Sequence, residues 1–486
     1  MRSPQGNPAA RCRKRVSLQP TITSTISSLA QAISMTPASL SGSTTNAPEH
    51  SLDRSLFWWS LTGILLSFLC IAHFLVMICF LLGWSISPVI APCALVISLA
   101  AGCWLAHREG MRPRRALPLA AATLAVVGVS LVLAAAFYDM SWDGLWYHQT
   151  AVYQMAHGWN PLFDPMHDFV AHLQDWVRHY AKGPWYVASA LYATTGNIEM
   201  AKAAPWIAFA AVFLAVFAAT LDFGLRRRTG ILVGALVALN PVTVFELASY
   251  LVDGLMISFL ACFVAAMFSW FRRPSLLNLS IMPVAAILCV NAKMTGLVYL
   301  CFACAAGGLY VVLKRRDLLS RYLSIQFVSL VLGVLLFGFN PYVTNTIHRG
   351  HPFYPVLGTA AYPSLSQQGQ DPIEKYETPH NMLGRSRYVR LAYALFGRPG
   401  AQPFFPGTDA SLMLPFDIGW GDFAIYYFHD VRISGFGPLF SGAVLLAVVL
   451  LGLAMVRPGI PREVIVIVAG AIVLSLLVST HTWWAR

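Results

Sequence analysis

Apolar residues fall in long unbroken runs separated by short polar connections. Eleven of these runs reach or approach the ~20 residues that span a hydrocarbon core. They are 56–83, 86–106, 116–137, 200–224, 229–249, 252–271, 276–292, 295–313, 322–346, 435–456 and 463–480. A shorter apolar piece at 184–194 is too brief to cross and is read as interfacial. Because a backbone inside lipid must satisfy its own hydrogen bonds, the pattern predicts helices throughout. The expected fold class is all-α: a polytopic helical membrane protein of about eleven transmembrane helices with two large extracytoplasmic loops.

Composition agrees with this reading. The chain is 57% hydrophobic and 11% charged, with a positive mean hydropathy of +0.62. That balance excludes an ordinary soluble protein. Residues 1–55 differ, being rich in Ser, Thr, Pro and Ala with a basic knot at Arg11–Arg15. They lack an apolar face that would repay ordering and read as a disordered cytoplasmic tail. No apolar core follows the basic knot, which argues against a cleaved signal peptide; an upstream start codon would produce the same tail. Residues 56–486 form the expected transmembrane domain.

Charge sets the orientation. The connections at 107–115, 226–228, 272–273, 314–317 and 456–463 are all basic, and with these spans all fall on one side. By the positive-inside rule that side is the cytoplasm. The net charge of +12 is thereby topological, and no nucleic-acid partner is expected.

Two long loops, 138–199 and 347–434, then face outward. Loops of that size usually carry function. All nine cysteines lie in the tail or the spans, so no disulfide framework is expected outside, and Cys301 and Cys304 read as small hydrophobes.

Ionisable residues gather at the outward ends of separate spans. Asp143 lies in SWDGLWYHQ with Trp142, Trp146, Tyr147 and His148; Lys182 in HYAKGPW; Asp253 in YLVDG; Lys293 in NAKMTG; Arg349 in TIHRGHPFYP; and Asp430 with Arg432 in HDVRISGF. Charge at membrane depth is costly, so this collection suggests one converging polar site. A carboxylate beside cations suits a hydroxyl nucleophile and an anionic leaving group, as in glycosyl transfer from a lipid phosphate.

Each residue also has a structural reading. Asp143 can favour a helix dipole, the tryptophans (Trp142, Trp146, Trp159, Trp185) can form an interfacial belt, and Lys182 and Lys293 can snorkel to headgroups. Asp253 and Lys293 can form a structural ion pair. His148 and His167 show no metal-ligand spacing, so a divalent metal is not indicated. Glycine-rich phosphate loops, GxSxG and HExxH are absent.

The order of an apolar span followed by WDGLWYH, GWNPL and HYAKGPW resembles the first outer loop of the polyprenyl-phosphate-sugar-dependent glycosyltransferases with the C-type membrane fold. This group includes protein O-mannosyltransferases and lipid A aminoarabinose transferases. The segments 240–254, 290–300, 340–356 and 430–440 look similar to those of a bacterial branch of it. The resemblance implies the C-type glycosyltransferase fold and a bacterial inner membrane location. The implied reaction is inverting transfer at the outer face, from a polyprenyl-phosphate sugar donor to a hydroxyl of a glycan, lipid or protein acceptor. It makes Asp143 the catalytic base. Lys182, Lys293 and Arg349 become contacts for the donor phosphate, with membrane lipid as partner; Tyr147 and His148 beside the base, and Asp253 at its outward turn, are read from position as further substrate contacts.

The chain departs from the group in two ways. Many members carry paired acids here, whereas the acids nearest Asp143 are Asp139 and Asp164. The ending at HTWWAR, 481–486, leaves open a truncated carboxyl terminus. Two other functions stay open: a lipid-linked polysaccharide polymerase or ligase using Arg385, Arg387, Arg390 and Arg398, and a transporter, for which Asn240–Pro241 supplies a broken span.

Overall fold

The computed structural model describes residues 52–164, 174–354, 380–397, 409–419, 435–456 and 462–478. The tail before residue 52, His167, Arg398, the Asp430–Arg432 pair and HTWWAR lie outside the described residues. Among the described residues the chain is helical, and pairing outside helices is limited to a bridge between Gly397 and Leu412.

In chain order the helices are α1 (Leu52–Leu81), α2 (Ile90–Arg108), α3 (Ala116–Ala136), α4 (Gln149–Ala156), α5 (Gln174–His179), α6 (Gly183–Thr195), α7 (Ala203–Asp222), α8 (Arg227–Ala238) and α9 (Pro241–Glu246). They continue as α10 (Asp253–Arg272), α11 (Leu276–Ala292), α12 (Met294–Lys314), α13 (Leu319–Val331), α14 (Thr344–Arg349), α15 (Arg387–Phe396), α16 (Pro438–Val456) and α17 (Arg462–Val478).

Eight helices among the described residues are long and apolar enough to cross a membrane. They contain α1, α2, α3, α7, α10, α12, α13 and α16. The protein is therefore an integral membrane protein by the length and composition of its helices. Two more of the expected spans, α11 and α17, are apolar but only 17 residues each. The run 229–249 is divided. Its first helix, α8, has 12 residues, and α9 begins afresh at Pro241. Asn240 causes the restart: its Oδ1 accepts from the Thr243 amide at 3.0 Å, and Pro241 suits the first helical position because its missing N–H would be unpaired there. Hydropathy records apolarity but not this local competition for backbone donors.

Helices α1, α7, α10 and α11 form the interior, with α10 packed on both α7 and α11. Burial orders the layers: the central window of α10 is 72% buried and that of α16 only 11%. An apolar helix left uncovered in this way is one whose outer face meets lipid.

The basic connections meet at one pole. Glu109 Oε1 accepts from the Leu276 amide at 2.6 Å, Arg272 lies 5.1 Å over the Phe223 ring, and Lys314 pairs with Glu463 at 2.9 Å. Other long-range polar ties form at the opposite pole. Asn160 Nδ2 donates to the Phe80 carbonyl at 2.8 Å, and Asn340 Nδ2 donates to the Pro161 carbonyl at 3.2 Å.

Candidate functional site

Where α3 ends, the backbone becomes extended at Phe137 and turns inward. Asp139 follows, 2% exposed. Its Oδ1 accepts from the Ser141 amide at 2.8 Å and the Ser141 hydroxyl at 2.7 Å. Its Oδ2 accepts from the Tyr250 amide at 2.7 Å, which ties the first loop to YLVDG. The Tyr250 hydroxyl in turn donates to the Ile198 carbonyl. Buried Lys202 completes the knot, donating to the Phe137 carbonyl at 2.5 Å and pairing with Glu199. Burial pushes the Asp139 carboxyl upward, while the bonds from Ser141 and Tyr250 and the Lys202 charge oppose the shift.

Asp143 stands in the first turn of the next helical stretch, directly before a π-helical turn, Gly144–His148. Extra residues inserted into helices in this way recur at functional sites. The turn sorts its side chains by depth: Trp142 and Trp146 are exposed, Asp143 and Tyr147 half-buried, and His148 buried. His148 Nδ1 accepts from Trp185 Nε1 at 2.7 Å. That bond places the proton of the neutral imidazole on Nε2. Tyr147 packs on the His148 ring at 4.2 Å, and Tyr180 stacks on Trp185 at 5.4 Å. The wall is aromatic, and both Trp185 and His148 are enclosed in it.

Lys182 precedes α6 and is 1% exposed. Its Nζ donates to the Arg178 carbonyl at 2.7 Å and the Tyr180 carbonyl at 3.0 Å. Burial, and then the nearby Arg178 charge, hold this amine well below its ordinary range. Two of its three donors are taken, leaving one for any further acceptor. The next residue, Gly183, brings α6 against α11. A side-chain carbon there would stand 2.7 Å from the Asn291 carbonyl oxygen, so this close approach requires glycine.

Asn291 leads to Lys293, whose extended backbone separates α11 from α12. Lys293 Nζ meets Asp253 Oδ1 at 2.6 Å. Asp253 opens α10, where a carboxylate is favoured by the helix dipole. Buried Glu246 accepts from the Gly254 amide at 2.6 Å, satisfying another donor at that terminus.

The remaining motif arrives from α13 through a π-helical stretch, Leu332–Phe337, and a kinked stretch, Phe339–Val343, in which Asn340 is extended. Tyr342 donates its hydroxyl to the Val290 carbonyl at 2.7 Å, and Asn291 Nδ2 donates to the Gly333 carbonyl at 2.9 Å. Asn345 Oδ1 lies 2.5 Å from His179 Nδ1. Arg349, one turn beyond Asn345, is exposed and lies 5.0 Å over the Tyr354 ring.

The loop carrying Asp143, Tyr147 and His148 thus touches the Lys182 segment through Trp185, and the Lys182 segment touches the Lys293 segment through Gly183. Lys293 binds Asp253, and Asp139 closes the circuit from the Asp253 segment back to the first loop. Arg349 joins only at its edge, through α14. Asp139 and Glu246 were not among the expected site residues; an acid so soon after an apolar run was the available signal for Asp139. Among the described residues, no three His, Cys, Asp or Glu side chains gather as they would around a metal ion.

An apolar groove of about 280 Å³ lies between α10, α12 and α17. On α12 its lining runs from Tyr299 through Ala303 and Gly307 to Tyr310. Eleven helical steps correspond to about 16 Å of depth. No protein-family model, curated protein or solved structure matches this chain.

Proposed function

We propose that the protein is a glycosyltransferase that moves a sugar from a polyprenyl-phosphate donor to a hydroxyl acceptor at the outer face of a bacterial inner membrane, with inversion. One observation carries the reading: four sequence-distant polar motifs close into a single circuit at the pole opposite the basic connections. The positive-inside rule makes that pole the exterior.

Asp143 is the base in this proposal. It takes the proton of the acceptor hydroxyl as the acceptor oxygen bonds to the anomeric carbon, and the bond from that carbon to the phosphate oxygen breaks. Lys293 balances charge on the departing lipid phosphate in this reading, which its location between α11 and α12, beside Asp253, supports. Tyr147 and His148 shape the wall, and Arg349 can contribute only from the rim. The C-type fold belongs to the same proposal.

The polymerase or ligase alternative would use the arginines near α15. Two of these are engaged in the fold, Arg387 donating to the Leu477 carbonyl at 2.7 Å and Arg390 being buried, which favours the first reading. A transporter would break its helices near the bilayer midplane, whereas the breaks at Asn240 and Leu332–Val343 lie toward the motif pole.

The test is transfer of radiolabelled sugar from polyprenyl-phosphate donors in membranes carrying the wild-type chain or Asp143→Asn at matched expression. Wild-type transfer that falls by about 100-fold or more in the variant is expected for loss of a general base. Equal transfer in both would remove Asp143 as base and favour the polymerase or ligase.

A further inference from the structure

We infer that Asp139 is a positioning residue, fixing the place of Asp143 relative to the Asp253–Lys293 pair. The inference deepens the proposed function and rests on it for the role of Asp143. The geometry on which it stands is independent of that role.

Asp139 divides its two oxygens between two distant segments. Oδ1 holds Ser141 through amide and hydroxyl, and the Ser141 hydroxyl also accepts from the Gly144 amide at 3.2 Å. Oδ2 holds the Tyr250 amide, three residues before Asp253. Gly144 rests directly on this network, since a side-chain carbon there would overlap both Asp139 Oδ2 and Ser141 Oγ. Asp143 is the residue immediately before Gly144. A buried carboxylate with 2% exposure therefore lies beneath the backbone of the base and at the same time grips the segment that leads to the phosphate-side ion pair.

Two properties make a carboxylate necessary. Both oxygens must accept, because every group they face is an N–H or O–H donor. An Asn side chain of the same shape presents one acceptor and one donor, so it loses either the Ser141 bonds or the Tyr250 bond. The buried charge is balanced by nearby Lys202, itself held by the Phe137 carbonyl and Glu199. The pairing of acids found in the resembled group has no direct counterpart at Asp143. The second acid here lies four residues earlier, in the irregular stretch after α3, and acts through the backbone.

The expected consequence is a displaced base with a largely intact donor site. A shift of about 1 Å in a reacting group can cost about 100-fold in rate. Asp139→Asn and Gly144→Ala are compared with wild type in detergent-purified full-length protein, by two readouts. Hydrogen exchange follows the Tyr250 and Gly144 amides; in Asp139→Asn at least one of them is expected to exchange about tenfold faster or more. Transfer kinetics, normalised to folded protein, are expected to show kcat down about tenfold or more in both variants, with KM for the polyprenyl-phosphate donor within about twofold.

Unchanged exchange at both amides in Asp139→Asn overturns the positioning role whatever the activity. Faster exchange with unchanged kcat per folded molecule also overturns it, because Asp139 would then only stabilise the fold. If wild type transfers no sugar from any donor, the proposed reaction fails, and the exchange readout alone decides whether Asp139 fixes the Asp143 backbone.

Discussion

The Asp253–Lys293 contact allows a quantitative test because its two partners are unequally buried. The Lys293 side chain is 23% exposed and the Asp253 side chain 8%. Removing one partner from a fully buried pair costs about 3–5 kcal/mol, and partial exposure reduces that figure through solvent screening. Lys293→Met leaves a nearly enclosed carboxylate without its cation, offset in part by the amino terminus of α10, and is expected to cost about 2–3 kcal/mol. Asp253→Asn leaves an ammonium that can turn to water, and is expected to cost about 1 kcal/mol. The double variant, lacking both charges, should cost about 2 kcal/mol, giving a coupling of about 1.5 kcal/mol. The assay is unfolding in mixed micelles titrated with SDS, for wild type, both single variants and the double. Single effects that add to within about 0.5 kcal/mol would refute the pairing. A larger loss in Asp253→Asn than in Lys293→Met would refute the argument from unequal burial.

Two further outcomes follow from the same site. Burial lowers the Lys182 amine below its ordinary 10.5, so the folded chain releases this proton before the unfolded chain does. Between the folded value and 10.5 the unfolded state binds more protons and stability rises with pH. Unfolding measured along an alkaline series should therefore show a positive slope in wild type that Lys182→Met reduces; identical slopes would place this amine in water. Gly183→Ala should cost about 1–3 kcal/mol, because the added carbon meets a backbone carbonyl that cannot rotate away; a neutral result in the same unfolding assay would show that α6 and α11 do not pack so closely.

Local sequence was sufficient wherever a property belongs to one segment. The long apolar runs became helices because a chain in lipid has few other ways to satisfy its backbone. The basic connections identified a common pole because each is adjacent to its own span. The opposite charges of Asp253 and Lys293, each at the end of a span, offered an ion pair as one of two readings, and the structure shows the contact. Division of the run 229–249 was signalled by Asn240–Pro241, yet hydropathy averaged over it.

Tertiary structure decided whatever depends on which helices are neighbours. Asp139 and Tyr250 are 111 residues apart, and nothing local to either tells that one accepts from the other. The same holds for His148 and Trp185, 37 residues apart, whose hydrogen bond ties the first loop to the Lys182 segment. Lys182 read either as a cation snorkelling to headgroups or as a contact for a phosphate. Packing put two carbonyls against it, because a buried amine is held by the nearest acceptors it can reach. Sequence determined which segments enter the membrane and which residues are chemically equipped for a site. Only the packing of α3, α6, α10 and α11 determined which of those residues face one another, since hydrogen bonds and ion pairs depend on ångström-scale distances that residue order does not encode locally.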